Sequence, residues 1–424
     1  MQTLYLATHW NPIYWNTACL IVNTGGTDYD ESKTSDYSKL ASSINKMRNS
    51  NINISLPDIN KSTYSFKPDE STNTIFYGFR GILGVGDKII SEILEKRPFS
   101  SFEDFMNRTS FDKTAMISLI KSGCFDALEN RNSVMAKYIL SVSDLKNNLN
   151  LQNLRTLMNY KLLPTDVESF KYYEFNRYLK TKCTNGKLDD RAINFLAKMN
   201  HEEIIQSDLH YDEKAWKKIY DYYMNYYRVY ISSNKKKLLG ELNVIKYNEE
   251  WDKYATGNYS SWEMETVCFY YHEHELINVN KEKYGLVNFY DLPEQPEVDR
   301  IYNFNGKEVP IFKLNKICGT CIAKNKVKST VKLLTTDGVV EVKFNKEYFS
   351  LYDRSIKATK ADGKNYIAEE SWFNKGNKIM VTGIRSDDQF IVKKYKNTPG
   401  HRLYKINDIN ENGDLILQGE RVNA

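Results

Sequence analysis

Apolar residues follow a helical spacing over most of the first 300 positions and alternate singly beyond them. Residues 1–50 predict two helices around the loop NTGGTDYDESKTS. The first carries Leu4, Tyr5, Trp10, Ile13, Tyr14 and Leu20, more apolar surface than an isolated helix leaves in water. Residues 51–79 mix prolines, turn residues and short β-type runs, which predicts extended or irregular structure. From 80 to 128 the pattern is helical again. Ser100 and Glu103 stand at capping-box spacing ahead of Phe102, Phe105 and Met106, and FDKTAMISLIKSGCFDAL predicts a helix broken at Gly123. Residues 129–245 keep helical periodicity with almost no proline, a helical region with polar loops.

Beyond residue 300, Val331 and Leu333 flank Lys332, and Asp337-Gly338 is a hairpin turn. Val340, Val342 and Phe344 then alternate with Glu341 and Lys343. A helix-like FNKEYFSLYD follows, then the strands KIMVTGI and QFIVKKY joined by Ser386-Asp387-Asp388. Three strands, a helical link and two strands predict a five-stranded Greek-key barrel, the OB-fold. The fold class is therefore α+β and multidomain: mostly helical over the N-terminal two thirds, with a C-terminal OB-fold β-barrel.

Composition narrows this picture little. At 41% apolar and 27% charged the chain has ordinary soluble composition. No window approaches the roughly 20 apolar residues of a membrane span, and MQTLYLATHW is no signal peptide. Six cysteines without regular spacing point to a reducing cytoplasm. A net charge of +5 permits a nucleic-acid partner without requiring one.

The stretch RGILGVGDKIISEIL places two glycines just ahead of a helix, where backbone often approaches a phosphate. A dinucleotide fingerprint fails, because its third glycine position holds Ile89; no Gly-Lys-Ser/Thr of a P-loop is present either. What remains reads as a helix-hairpin-helix. Gly84, Gly86, Asp87 and Lys88 would offer a helix start to a strand's phosphate, without base specificity. A helix–helix turn that merely packs is the alternative. A second hairpin-like unit at Lys121-Ser122-Gly123, using Lys121 and Gly123, favours DNA, since such hairpins pair to grip both strands.

In the barrel, Lys316, Lys324, Lys326, Lys328 and Lys332 cluster on the first hairpin, with Phe344, Tyr348 and Phe349 near the other end. This is the pattern of a single-strand groove with stacking aromatics; a solvated lysine face over core aromatics is the alternative. Cys318-Gly-Thr-Cys321 has the spacing of half a zinc site, but no second pair follows, so it reads as packing. Asp28 and Asp30 read as turn chemistry rather than metal ligands.

These blocks carry a family likeness. MQTLYLATHWNPIYWNTACL, INKMRNSNINISLPDINKSTYSF, FYGFRGILGVGDKIISEIL, FSSFEDFMNR and LIKSGCFDAL occur in the same order as blocks of the bacterial replicative C-family polymerase, the DNA polymerase III alpha subunit, and resemble them. WEMETVCFYYHEHEL resembles a later block, with Glu275 where the family has proline and Cys268 where it has glycine. The likeness is long over 1–128 and short over 262–276, and no block matches within 129–260.

The resemblance implies a C-terminal fingers part at 1–74, tandem helix-hairpin-helix at 75–128, a helical connecting region at 129–300, the OB-fold at 301–400 and a tail or hairpin at 401–424. In the family the palm carboxylates that hold two Mg²⁺ precede all of this. The expectation is that no catalytic residue and no cofactor resides in this chain, with Mg²⁺ in a catalytic partner. The chain would be the C-terminal piece of a split, phage- or plasmid-borne polymerase. Implied partners are primer–template duplex and single-stranded DNA, the palm-bearing chain and a sliding clamp, with no membrane, in a bacterial cytoplasm. The clamp segment would be Gln206-Ser207-Asp208-Leu209-His210-Tyr211, acting through Gln206, Leu209 and Tyr211. His272, Glu273 and His274 are read as structural, position 274 matching the family's histidine. The competing class is a free-standing helix-hairpin-helix and OB accessory protein for single strands or repair; an inactive remnant is the third.

Overall fold

Pro12 follows Asn11, whose side chain accepts from Ile13 N, so a helix starts there: α1 (Pro12–Asn23), burying Ile13, Thr17 and Leu20. The computed structural model describes Tyr5 and residues 11–25, 36–146, 149–164, 167–183, 185–304, 306–359, 365–396 and 399–421. Leu4, Trp10, Asp28 and Asp30 lie outside the described residues. Asp36 caps α2 (Tyr37–Asn49). The stretch expected to be extended or irregular forms a small sheet of β1 (Asn53–Ser55), β2 (Lys67–Asp69) and β3 (Thr74–Phe76), with β3 central and parallel to β1.

Three short helices follow: α3 (Asp87–Lys96), α4 (Phe102–Arg108) and α5 (Lys113–Lys121). The predicted capping box is displaced by one residue. Ser101 Oγ, not Ser100, accepts from the Asp104 amide at 3.1 Å, while the Asp104 carboxylate takes the Ser100 amide at 3.0 Å.

The chain divides into two compact units, one of residues 1–135 with 257–424 and one of residues 136–256, the division falling within α6 (Arg131–Ser143). The second unit is helical: α7 (Leu154–Asn159), α8 (Val167–Lys182), α9 (Asp190–Lys198), α10 (Glu213–Ser233) and α11 (Lys235–Tyr254). Its core gathers Tyr172, Phe175, Leu196, Trp216, Tyr227 and Leu238.

The chain then returns to the first unit through α12 (Tyr259–Thr266), which buries Trp262, Glu263 and Met264, and α13 (Lys281–Tyr284). This corrects the expected single connecting region at 129–300. Residues 257–300 belong with the hairpins and the barrel because α12 packs against α5.

A hairpin of β4 (Val298–Phe304) and β5 (Lys307–Phe312) precedes the barrel. The barrel uses β6 (Asn315–Asn325), β7 (Thr330–Leu334) and β8 (Val339–Lys343), then α14 (Lys346–Asp353). A side hairpin of β9 (Ile356–Thr359) and β10 (Asn365–Glu369) intervenes before β11 (Lys378–Ser386) and β12 (Gln389–Val392). Neighbours pair antiparallel from β6 to β8, β8 pairs parallel with β12, and β12 and β6 both pair antiparallel with β11. The ring closes with the connectivity of an OB-fold around Val331, Leu333, Val340, Val342, Val381 and Phe390. The predicted alternation decides this: the apolar positions of β7 and β8 are the ones turned inside. Residues 401–424 contribute β13 (Leu403–Ile409) and β14 (Leu415–Gln418), a hairpin that extends the sheet from β11.

Candidate nucleic-acid interface

The loop between β3 and α3 is held from behind. Tyr77, fully buried, donates its hydroxyl toward Gly81 O (3.0 Å) and Val267 O (3.1 Å), and the Leu83 amide donates to Thr266 O at 2.9 Å. Gly84 has φ +81°, which a side chain resists, and an added Cβ would lie 2.9 Å from Ser118 Oγ. Gly86 is different. It has φ −89° and ψ 166°, an added Cβ would meet nothing within 4 Å, and the residue is exposed. Neither its backbone angles nor its neighbours require glycine there; as the N-cap residue of α3 it leaves the helix start uncovered. No side chain caps α3, so its first amides are left for water or a ligand, with Lys88 exposed beside them. Of Asp87, expected among the phosphate contacts, only the backbone amide stays open; the side chain serves the protein. Its carboxylate accepts from Arg80 Nη1 (2.9 Å) and Tyr64 Oη (2.8 Å), and a carboxylate repels phosphate.

The second hairpin is turned inward. Gly123 is buried with φ +85°, and an added Cβ would come 2.4 Å from Arg131 Nη2 and 2.9 Å from Asp126 Oδ2. Lys121 is buried and paired with Glu265. Arg131, its side chain 1% exposed, pairs with Asp126 and with Glu263, donates to Lys121 O at 3.1 Å and lies 4.6 Å from the Tyr259 ring centre. Lys121 and Gly123 are therefore corrected from phosphate contacts to structural residues: burying two cations requires partners, and the glutamates of α12 supply them.

The α12 segment thus braces both hairpins. Glu263 is fully buried and also accepts from the Tyr271 and His272 amides (2.9 and 3.0 Å), with His272 Nδ1 at 2.6 Å. His274 Nδ1 accepts from the Leu276 amide and its Nε2 faces Leu334 O, both at 3.0 Å; the neutral tautomer satisfies both bonds, and burial pushes its pKa down to about 4. Glu275 accepts from Lys378 at 2.6 Å. Cys268 has φ +67°, the left-handed backbone that suits the glycine at the matching family position.

On the barrel the lysines do not form one row. Lys324 and Lys326 pair with Asp353 of α14 at 2.6 and 3.3 Å, and Lys316 reaches Tyr284 O at 3.3 Å. Lys332 lies beside Trp15, Cys19 and Lys46 in a groove over α1 and α2, while Lys328 is exposed in the β6–β7 turn. Phe344 and Phe349 are buried in the barrel core, and Tyr348 is half-buried with the Arg402 guanidinium 4.5 Å from its ring centre. Phe344 is corrected from a stacking platform to a core residue, since the inward face of β8 continues through it. Cys321 points into the barrel core and Cys318 into a separate cluster with Leu276 and Met380; burial pushes both thiols up to about 12. Among the described residues no group of three or more His, Cys, Asp and Glu side chains could hold a metal ion.

The expected clamp peptide is folded into a tight hairpin. Gln206 N donates to His210 O at 2.7 Å, Ile205 bridges Tyr211, and Leu209 has φ +66°. Gln206 and Leu209 are exposed but Tyr211 packs into the helical core, so the three do not present one extended ligand. Arg80, Arg131, Glu263 and Glu265 were not picked out from sequence. Two glutamates two residues apart beside a tryptophan, in WEMET, were the available signal.

The helix-hairpin-helix motif family matches residues 51–134, a span that takes in both hairpins and the small sheet before them. Probable DNA polymerase YorL of Bacillus subtilis and a DNA-directed DNA polymerase of Bacillus phage SPbeta are each 35% identical over 446 aligned residues, covering 99% of this chain and 34% of the relative. The DNA polymerase III subunit alpha of Borreliella burgdorferi is 31% identical over 188 residues, 42% of this chain and 15% of its own length. That of Thermus aquaticus is 31% identical over 142 residues, 32% of this chain and 11% of its own length. The chain resembles the C-terminal portion of a DNA polymerase III alpha subunit. It spans about a third of the length of the first two relatives. Among the described residues no helix is long and apolar enough to cross a membrane.

Proposed function

We propose that this chain is the DNA-holding part of a DNA polymerase III alpha-like enzyme. The first hairpin lays the start of α3 against the sugar-phosphate chain of primer–template DNA, and the barrel steers the single-stranded template. The observation that carries this reading is Gly86: exposed, unstrained and open on its Cβ side, it is a glycine that the protein's own packing does not call for. A strand backbone seated against the α3 amides and Lys88 accounts for it. The chemistry belongs to the palm of such an enzyme, with its Mg²⁺. The exposed Tyr14, Trp15 and Val22 on α1 support a docking role for that helix.

Fluorescence anisotropy with labelled primer–template tests the DNA reading. Gly86→Glu should abolish binding that Lys121→Ala leaves intact in the folded protein; equal effects of the two would overturn it. Primer extension by this chain alone would exclude catalysis by a partner. Retention of a palm-bearing polymerase chain on the tagged protein from its native source separates the split enzyme from a free-standing accessory protein.

A further inference from the structure

The helical unit of residues 136–256 has a site of its own. Helices α8 and α9 meet through Phe175 and Phe195, whose rings stack at 3.9 Å, and beside them opens a cavity of about 550 Å³. Arg155, Lys171, Arg177, Arg191 and Lys198 border it against a single carboxylate, Glu174. Glu174 Oε1 stands 3.9 Å from both Arg155 Nε and Arg177 Nη1, ion-pair distances too long for hydrogen bonds. The Arg191 guanidinium lies 4.8 Å from the centre of the Tyr178 ring. Arg155 and Arg177 therefore keep their N–H forks, Arg191 acts electrostatically on Asp189, whose carboxylate takes the Tyr178 hydroxyl, and the half-buried Tyr178 and Phe195 rings give the cavity an aromatic wall.

We propose that this cavity takes a nucleotide of a single DNA strand, its base against Tyr178 and Phe195 and its phosphate on Arg177 and Arg191. Arginine forks match phosphate oxygens in pairs, and an aromatic face accepts any base. A simple anion would gain nothing from the aromatic wall. Lys180 and Lys182 carry the positive charge on along the last turn of α8, as the successive phosphates of a strand require and a free nucleotide does not. This site does not depend on the hairpin reading.

Oligothymidine substituted with 5-iodouracil, photo-crosslinked to the whole unmodified chain and mapped by peptide mass spectrometry, tests the placement. Adducts on Tyr178 or Phe195 are expected; adducts confined to other segments, or none, overturn it. The exposed pair Arg177→Glu and Arg191→Glu should weaken oligothymidine binding about tenfold and flatten its salt dependence, with melting unchanged; undiminished affinity overturns it. Free thymidine triphosphate is the second arm. Millimolar triphosphate should leave the strand adduct in place, whereas its loss, with the triphosphate itself bound, would assign the cavity to a free nucleotide and overturn the strand.

Discussion

The two hairpins begin from similar sequence, a glycine turn with a lysine close by, and end in opposite settings. At the first, Gly84 makes the turn and Gly86 leaves an open, uncapped helix start facing outward. At the second, Gly123 is sealed beneath Arg131, and Lys121 spends its charge on Glu265. A glycine turn next to a lysine is therefore no signature of a phosphate site. Its meaning depends on whether carboxylates elsewhere in the fold claim the cations.

The strongest way to break the comparison is to remove the inward claim. Glu263→Ala leaves Arg131 buried with only Asp126, and should cost about 3 kcal/mol of unfolding free energy. Urea denaturation of the whole chain measures it, and a loss under about 1 kcal/mol would mean that Asp126 suffices. Gly123→Ala places a Cβ against Arg131 in left-handed backbone and should cost about 2 kcal/mol, with DNA affinity of the folded protein unchanged. A pH titration probes the same brace. His274 is held neutral, its folded pKa of about 4 lying below the ordinary value. The unfolded chain then binds more protons between those values, so stability should be full above about pH 6.5 and fall as pH drops toward 4. His274→Gln should be less stable at neutral pH and flatten that slope.

At the outward hairpin the effects should move from stability to binding. Gly86→Val, at the N-cap of α3, should cost no more than about 1 kcal/mol of stability while weakening primer–template binding about tenfold, or about 1.4 kcal/mol. A parallel loss of stability would place Gly86 with Gly123. Smallest is Lys88→Glu, which should lower the salt dependence of binding by about one counterion and leave melting unchanged.

Much of the fold was legible because its signals are local. The single alternation of Val331, Leu333, Val340 and Val342 predicts strands with one buried face, and the barrel has them in that order. Asp337-Gly338 predicts the turn between β7 and β8, and FNKEYFSLYD the helix that follows. Phe344 misled for a related reason: an aromatic at the end of a strand serves equally as a stacking face or as a barrel plug, and only closure of the ring chooses. Lys324 and Lys326 looked like a basic groove until α14 brought Asp353 within reach. The hairpin form of the clamp-like segment was not legible either, since a six-residue pattern carries no sign that Ile205 will bridge Tyr211.

What the chain determined unaided is periodicity and backbone permission: where helices run, where strands alternate, and that positions 84 and 123 admit a left-handed turn. Which turn meets solvent was settled only by tertiary packing. Glu265 lies 144 residues from Lys121, and Glu263 lies 132 residues from Arg131. Charge pairing across such separations follows from how elements stack, because a buried cation must find its carboxylate wherever the fold delivers one.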